Sequence, residues 1–110
     1  MSTSEEFVEY ILDLLSSVGQ METKRMFSGV LLTVEGEQLG VILMETLYFK
    51  VVDRALQKKY QGMGSTQFQY TRKDKKDPVI IKNWWSVPEE ALDNGEALVV
   101  FAHEVLSQER

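Results

Sequence analysis

From Lys24 to Lys50 the chain reads KRMFSGVLLTVEGEQLGVILMETLYFK, and from Val30 its apolar residues recur at every second position. A period of two belongs to extended strands, because successive side chains leave opposite faces of the backbone. Val30, Leu32 and Val34 share one face, while Leu31, Thr33 and Glu35 share the other. Glu35-Gly36-Glu37 reverses the chain into a second strand, Leu39 to Met44, and Glu45-Thr46 makes a tight return into a third, Leu47 to Val51. Three successive antiparallel strands are the simplest reading. The second, LGVILM, is apolar in both phases, which places it centrally with both faces covered.

Helical periodicity flanks this block. Thr3 or Ser4 can cap a helix opening on Glu5 and Glu6, whose charges suit the positive end of the dipole. Phe7, Ile11, Leu14, Leu15 and Val18 then define one face over about residues 4 to 17, with Gly19 as the stop. Met26 and Phe27 form a short extended piece, which Ser28-Gly29 can turn. Asp53 caps a second helix, ALQKKYQ, ended by Gly62 or Gly64. Strand character resumes at Phe68 to Arg72, a charged hairpin follows at Lys73 to Asp77, and Pro78 admits an edge or starting position for the strand VIIKNWW. Val87-Pro88-Glu89-Glu90 starts a helical turn that Asp93 or Asn94 and Gly95 interrupt. A last helix over about residues 95 to 108 carries Leu98, Phe101, Ala102, Val105 and Leu106 on one face. This order predicts a single two-layer α+β domain over residues 1–110: helix, three or four strands, helix, two strands, helix, with the helices on one face of an antiparallel sheet. Leu31, Ile42, Met44, Tyr48, Ile80 and Trp84 leave the opposite face too apolar for open water, which predicts a homodimer across part of that face or along a sheet edge.

Composition narrows the chemistry. Without cysteine there are no disulfides or thiolate metal sites, and a single histidine disfavours a zinc site. The N-terminus MSTSEEFVEY is acidic where a secretory leader is basic and then apolar, and no apolar run reaches membrane-spanning length, so a cytoplasmic location is expected. The net charge of −5 divides unevenly, with −6 over residues 1–49, +6 over 50–82 and −5 over 83–110. Within the basic third, Arg72, Lys73, Lys75 and Lys76 crowd the hairpin, with Tyr70 before it and Lys82, Trp84 and Trp85 after it. Basic and aromatic residues interleaved in this way could hold phosphates while rings pack on a base or a partner, although Asp74 and Asp77 dilute the charge. The bland reading is a solvated tip with the tryptophans serving as core or interface anchors. No catalytic constellation can be assembled: His103 has no matching nucleophile, and Glu5-Glu6 and Glu89-Glu90 read as helix-start carboxylates. Gly62-Met63-Gly64 lacks the lysine-serine continuation of a phosphate loop. No cofactor is expected.

Several short signatures carry a resemblance. They are Arg25-Met26-Phe27-Ser28-Gly29, the hairpin at Glu35-Gly36, Leu47-Tyr48-Phe49-Lys50-Val51, Phe68-x-Tyr70, and Trp85-x-Val87-Pro88 followed by Ala91-Leu92-Asp93. In order and spacing, over roughly residues 20 to 105, they resemble the N-terminal domain of the TfoX/Sxy competence regulators. The resemblance implies a two-layer α+β fold related to secretion-chaperone-like domains. It also implies positive control of DNA-uptake genes, with the cyclic-AMP receptor protein as a partner at target promoters. Family members usually show two glycines after Met-Phe, where this chain has Ser28 first, and the longer regulators continue into a C-terminal domain, whereas this sequence ends at Arg110. The function expected is therefore a non-enzymatic protein-interaction module, a transcriptional co-regulator. The alternative is a nucleic-acid or small-ligand binding domain that uses the basic hairpin and its aromatics.

Overall fold

A computed structural model of the chain describes residues 4–26, 29–71 and 76–108. Helix α1 spans Glu5–Leu14, and four strands follow: β1 Met21–Met26, β2 Gly29–Val34, β3 Glu37–Leu43 and β4 Thr46–Lys50. Then come α2 Arg54–Gly62, β5 Gln67–Tyr70, β6 Val79–Ser86, the single turn α3 Glu89–Leu92 and α4 Gly95–Ser107. The strands form one antiparallel sheet in the order β1-β2-β3-β4-β6-β5. This is the expected two-layer α+β architecture with four successive strands after the first helix.

Local chemistry explains the boundaries. Ser4 caps α1 by accepting the Phe7 amide at 3.2 Å. Asp53 caps α2 through Leu56 at 3.0 Å. Asn94 caps α4 by accepting from Glu96 and Ala97. Of the two glycines expected to end α2, Gly64 does so: its φ of 88° is left-handed, its amide donates to the Gln61 carbonyl, and the Ser65 amide donates to the Tyr60 carbonyl. The β2–β3 turn is Glu35-Gly36, both at positive φ, as a two-residue hairpin of right-handed twist requires. The β3–β4 turn sits one residue earlier than its sequence suggests, on Met44-Glu45, because Leu43 pairs with Thr46.

The alternation in β2 is realised. Val30, Leu32 and Val34 are buried against the helices, while Leu31 and Thr33 on the opposite phase are half-buried. Ile11 and Leu15 from the first helix and its following turn, Leu56 and Tyr60 of α2, Ala91 of α3, and Leu98, Ala102 and Val105 of α4 join Leu32, Ile42, Leu47 and Phe49 in one core. Central β3 is covered on both phases at its middle, with Ile42 in that core and Val41, 3% exposed, on the other face. Beside it Gly40 is indispensable: a Cβ there would lie 2.1 Å from the Tyr48 carbonyl oxygen and 3.0 Å from the Phe49 ring.

Three expectations change. Met21–Met26 is a full edge strand rather than a short extended piece near Met26. Ile42 points into the core and Met44 stands in a turn, so neither contributes to the helix-free face. Ile80, paired with Gln69, takes the helix-side phase beyond the reach of the helices and is half-exposed. Phe27, Ser28 and the hairpin residues Arg72, Lys73, Asp74 and Lys75 lie outside the described residues.

Candidate interaction site

Among the described residues one face of the sheet carries no helix, and its register can be followed across strands. Leu31 stands opposite Val41, Val41 opposite Tyr48, and Tyr48 opposite Ser86. Lys50 stands opposite Trp84, and its ammonium donates to the Gln38 side-chain oxygen at 3.0 Å. The apolar row continues into β5 through rings: Tyr48 meets Phe68 edge-on at 5.2 Å between centroids, and Phe68 lies beside Tyr70 at 6.1 Å with their planes 29° apart. Phe68 and Tyr70 share this face because they are two residues apart on one strand. Tyr70 is 39% exposed. Partial burial raises the Tyr48 hydroxyl above the ordinary phenol pKa, an effect opposed by its hydrogen bond with Thr46.

The two tryptophans are consecutive in β6 and so face opposite sides of the sheet, and beside them the pairing with β5 is irregular. Gln67 pairs with Trp85 but the next residue, Phe68, pairs with Ile81, so Lys82, Asn83 and Trp84 have no counterpart on β5. The bulge is fastened by its own polar groups. The Lys82 carbonyl accepts from the Trp85 indole N–H at 3.0 Å and from the Gln67 amide at 2.8 Å, and the Asn83 carbonyl accepts from Val51 at 2.7 Å. Trp85, opposite Phe49, shares its face, lies in the core and is 8% exposed. Trp84 takes the other phase and stays half-buried on the helix-free face.

The residues singled out in the sequence thus divide. Tyr70 and Trp84 lie on the helix-free face, Lys76 and Lys82 are exposed, and Trp85 is a core anchor. Arg72, Lys73 and Lys75 lie outside the described residues. Tyr48 and Phe68 join Tyr70 in a way the basic cluster did not reveal, and the signal for them is the Phe-x-Tyr alternation of β5. A second feature is a groove beside the start of β5, where Ser65, Thr66 and Ser86 meet Glu89 and Glu90. Ser65 is buried there, and its hydroxyl has no partner among the described residues. His103 is exposed on α4. Among the described residues no group of histidine and carboxylate side chains could hold a metal ion, and no helix is long and apolar enough to cross a membrane.

Fold and face together define a small two-layer α+β domain with one sheet surface left open. The family model for the TfoX N-terminal domain matches residues 13–108 of the 110, and the chain belongs to that family. No curated protein matches it.

Proposed function

We propose that this domain is a non-enzymatic protein-interaction module acting as a transcriptional co-regulator in DNA-uptake competence, and that it meets its protein partner on the helix-free sheet face. The carrying observation is the open row of Leu31, Tyr48, Phe68, Tyr70 and Trp84 on a chain of this family. Aromatic rings on a rigid strand offer large contact area at low entropic cost, the usual composition of an interface anchor. The partner suggested by kinship is a DNA-binding regulator of the cyclic-AMP receptor protein type.

The test is binding of the purified chain to that regulator, free and on promoter DNA. Tyr70→Ala and Trp84→Ala are expected to weaken it at least tenfold while leaving the melting temperature within a few degrees. Full binding by both variants would refute the sheet face as the contact.

One observation favours a second reading: the exposed ring of Tyr70 lies on the strand that leads toward the basic hairpin, with Lys76 exposed beyond it. A single-stranded nucleic acid stacks on such rings and loses affinity steeply with salt. If the chain binds oligonucleotides directly, reversing Lys73 and Lys76 to glutamate abolishes the mobility shift. An unchanged shift in that double variant removes this reading.

A further inference from the structure

We propose that two copies of this chain associate by antiparallel pairing of their β5 edges, forming one continuous sheet across a two-fold axis beside Gln69. The inference rests on the sheet edges and stands whether or not the domain is a co-regulator.

The two ends of the sheet are built differently. β1, at one end, reads METKRM and exposes Glu22, Lys24 and Arg25, the charges by which natural edges repel a further strand. β5, at the other end, lies in the run Ser65-Thr66-Gln67-Phe68-Gln69-Tyr70-Thr71, which has neither charge nor proline. Among the described residues one side of its backbone faces no other strand, and Gln69, Tyr70 and Thr71 are exposed. An undefended edge of strand-forming residues is a template for pairing.

The sequence of β5 is self-complementary in one register. A two-fold axis normal to the sheet keeps each face on its own side, so residues opposite one another must share a phase. Phe68 and Tyr70 belong to the helix-free face and Gln69 to the other. With the axis at Gln69, Phe68 stands against the partner's Tyr70 and Tyr70 against the partner's Phe68. The row Tyr48, Phe68, Tyr70 then continues across the axis, and the two Gln69 amides face each other. Placing the axis at Phe68 instead would set Tyr70 against the partner's Thr66 and break the row.

Charge agrees with the antiparallel sense. Lys76 and Asp77 are exposed in the segment 72–77 that follows β5 beyond Tyr70, whose sequence RKDKKD carries a net charge of +2, and Glu89 and Glu90 rim the groove at the Thr66 end. Antiparallel pairing sets the basic end of one strand beside the acidic end of the other, whereas parallel pairing would set like beside like. The occupant that fits this edge is therefore a second copy.

Sedimentation equilibrium of the full chain, with substitutions at the axis, tests the proposal. The unaltered chain should dimerise below about 100 µM. Gln69→Lys and Gln69→Glu, each placing like charges directly opposite, should weaken dimerisation at least tenfold with unchanged circular dichroism, and an equimolar mixture should recover it. Because the chain has no cysteine, Gln69→Cys should form an interprotomer disulfide under mild oxidation, since opposed strand residues lie within bridging distance. Thr23→Cys on the β1 edge should not. A chain that stays monomeric, or a dimer that persists in both charged variants without a Gln69→Cys crosslink, overturns the proposal.

Discussion

At the scale of single residues, four positions carry unusual constraint. At Gly40 the added Cβ of alanine would press on the Tyr48 backbone carbonyl of β4 in the middle of the sheet, which cannot give way as a flexible side chain could. Gly40→Ala is expected to cost about 3 kcal/mol or more in chemical denaturation. Tyr60 is fully buried, edge-on to Phe101 at 5.6 Å, and its hydroxyl has no partner among the described residues. A buried hydroxyl without a hydrogen bond contributes nothing to offset its desolvation, so Tyr60→Phe should be neutral or stabilising by up to about 1 kcal/mol at neutral pH. Burial, with the Glu104 charge adding to it, raises the Tyr60 pKa far above the ordinary 10.0. Above pH 10 the unfolded chain therefore binds fewer protons than the folded one, and stability falls as pH rises. The Tyr60 contribution approaches about 1.4 kcal/mol per pH unit there, and urea melts of Tyr60→Phe across that range should lack this slope. Met44 and Glu45 both hold positive φ without being glycine. Asparagine tolerates that conformation better, so Met44→Asn should raise stability by about 0.5 to 1 kcal/mol in thermal melts.

Among the elements, those with a period in the sequence were legible and those without one were not. The alternation of Val30, Leu32 and Val34 announced β2, and the caps Ser4 and Asp53 announced two helices. β1 gave no such signal because an edge strand that faces water on much of its surface needs no apolar phase, and METKRM has none. The β6 bulge was equally hidden. Nothing in VIIKNWW states that three residues have no counterpart on β5, and it is pairing with β4, Trp85 opposite Phe49 and Trp84 opposite Lys50, that decides which tryptophan turns inward. The C-terminal helix is tied down in a way its composition did not suggest. Gln108, just past α4, accepts from the amides of Val52 and Asp53 at 2.8 and 2.9 Å and donates to the Lys50 carbonyl at 2.5 Å. These bonds join α4 to the link between β4 and α2. Gln108→Ala leaves part-buried backbone groups unpaired and should cost about 2 kcal/mol, read as a lower urea midpoint with an unchanged slope.

For the whole molecule, the consequence of gathering the four helices of the described residues on one side is a sheet whose other side, among those residues, meets solvent or a partner. The aromatic row on that side and the uncharged β5 edge adjoin, so pairing of edges would lengthen the surface offered to a third component. Of the residues singled out around the basic hairpin, Tyr70 and Trp84 share the helix-free face and Trp85 belongs to the core, while Arg72, Lys73 and Lys75 lie outside the described residues. By itself the sequence determined the fold class, the family and the phase of β2, because periodicity, capping and turn chemistry act over a few neighbouring residues. The tertiary structure alone decided which aromatic faces outward, which strand lies at each edge and why Gly40 admits no side chain. Those outcomes depend on strand order and register between segments distant along the chain, which no local pattern encodes.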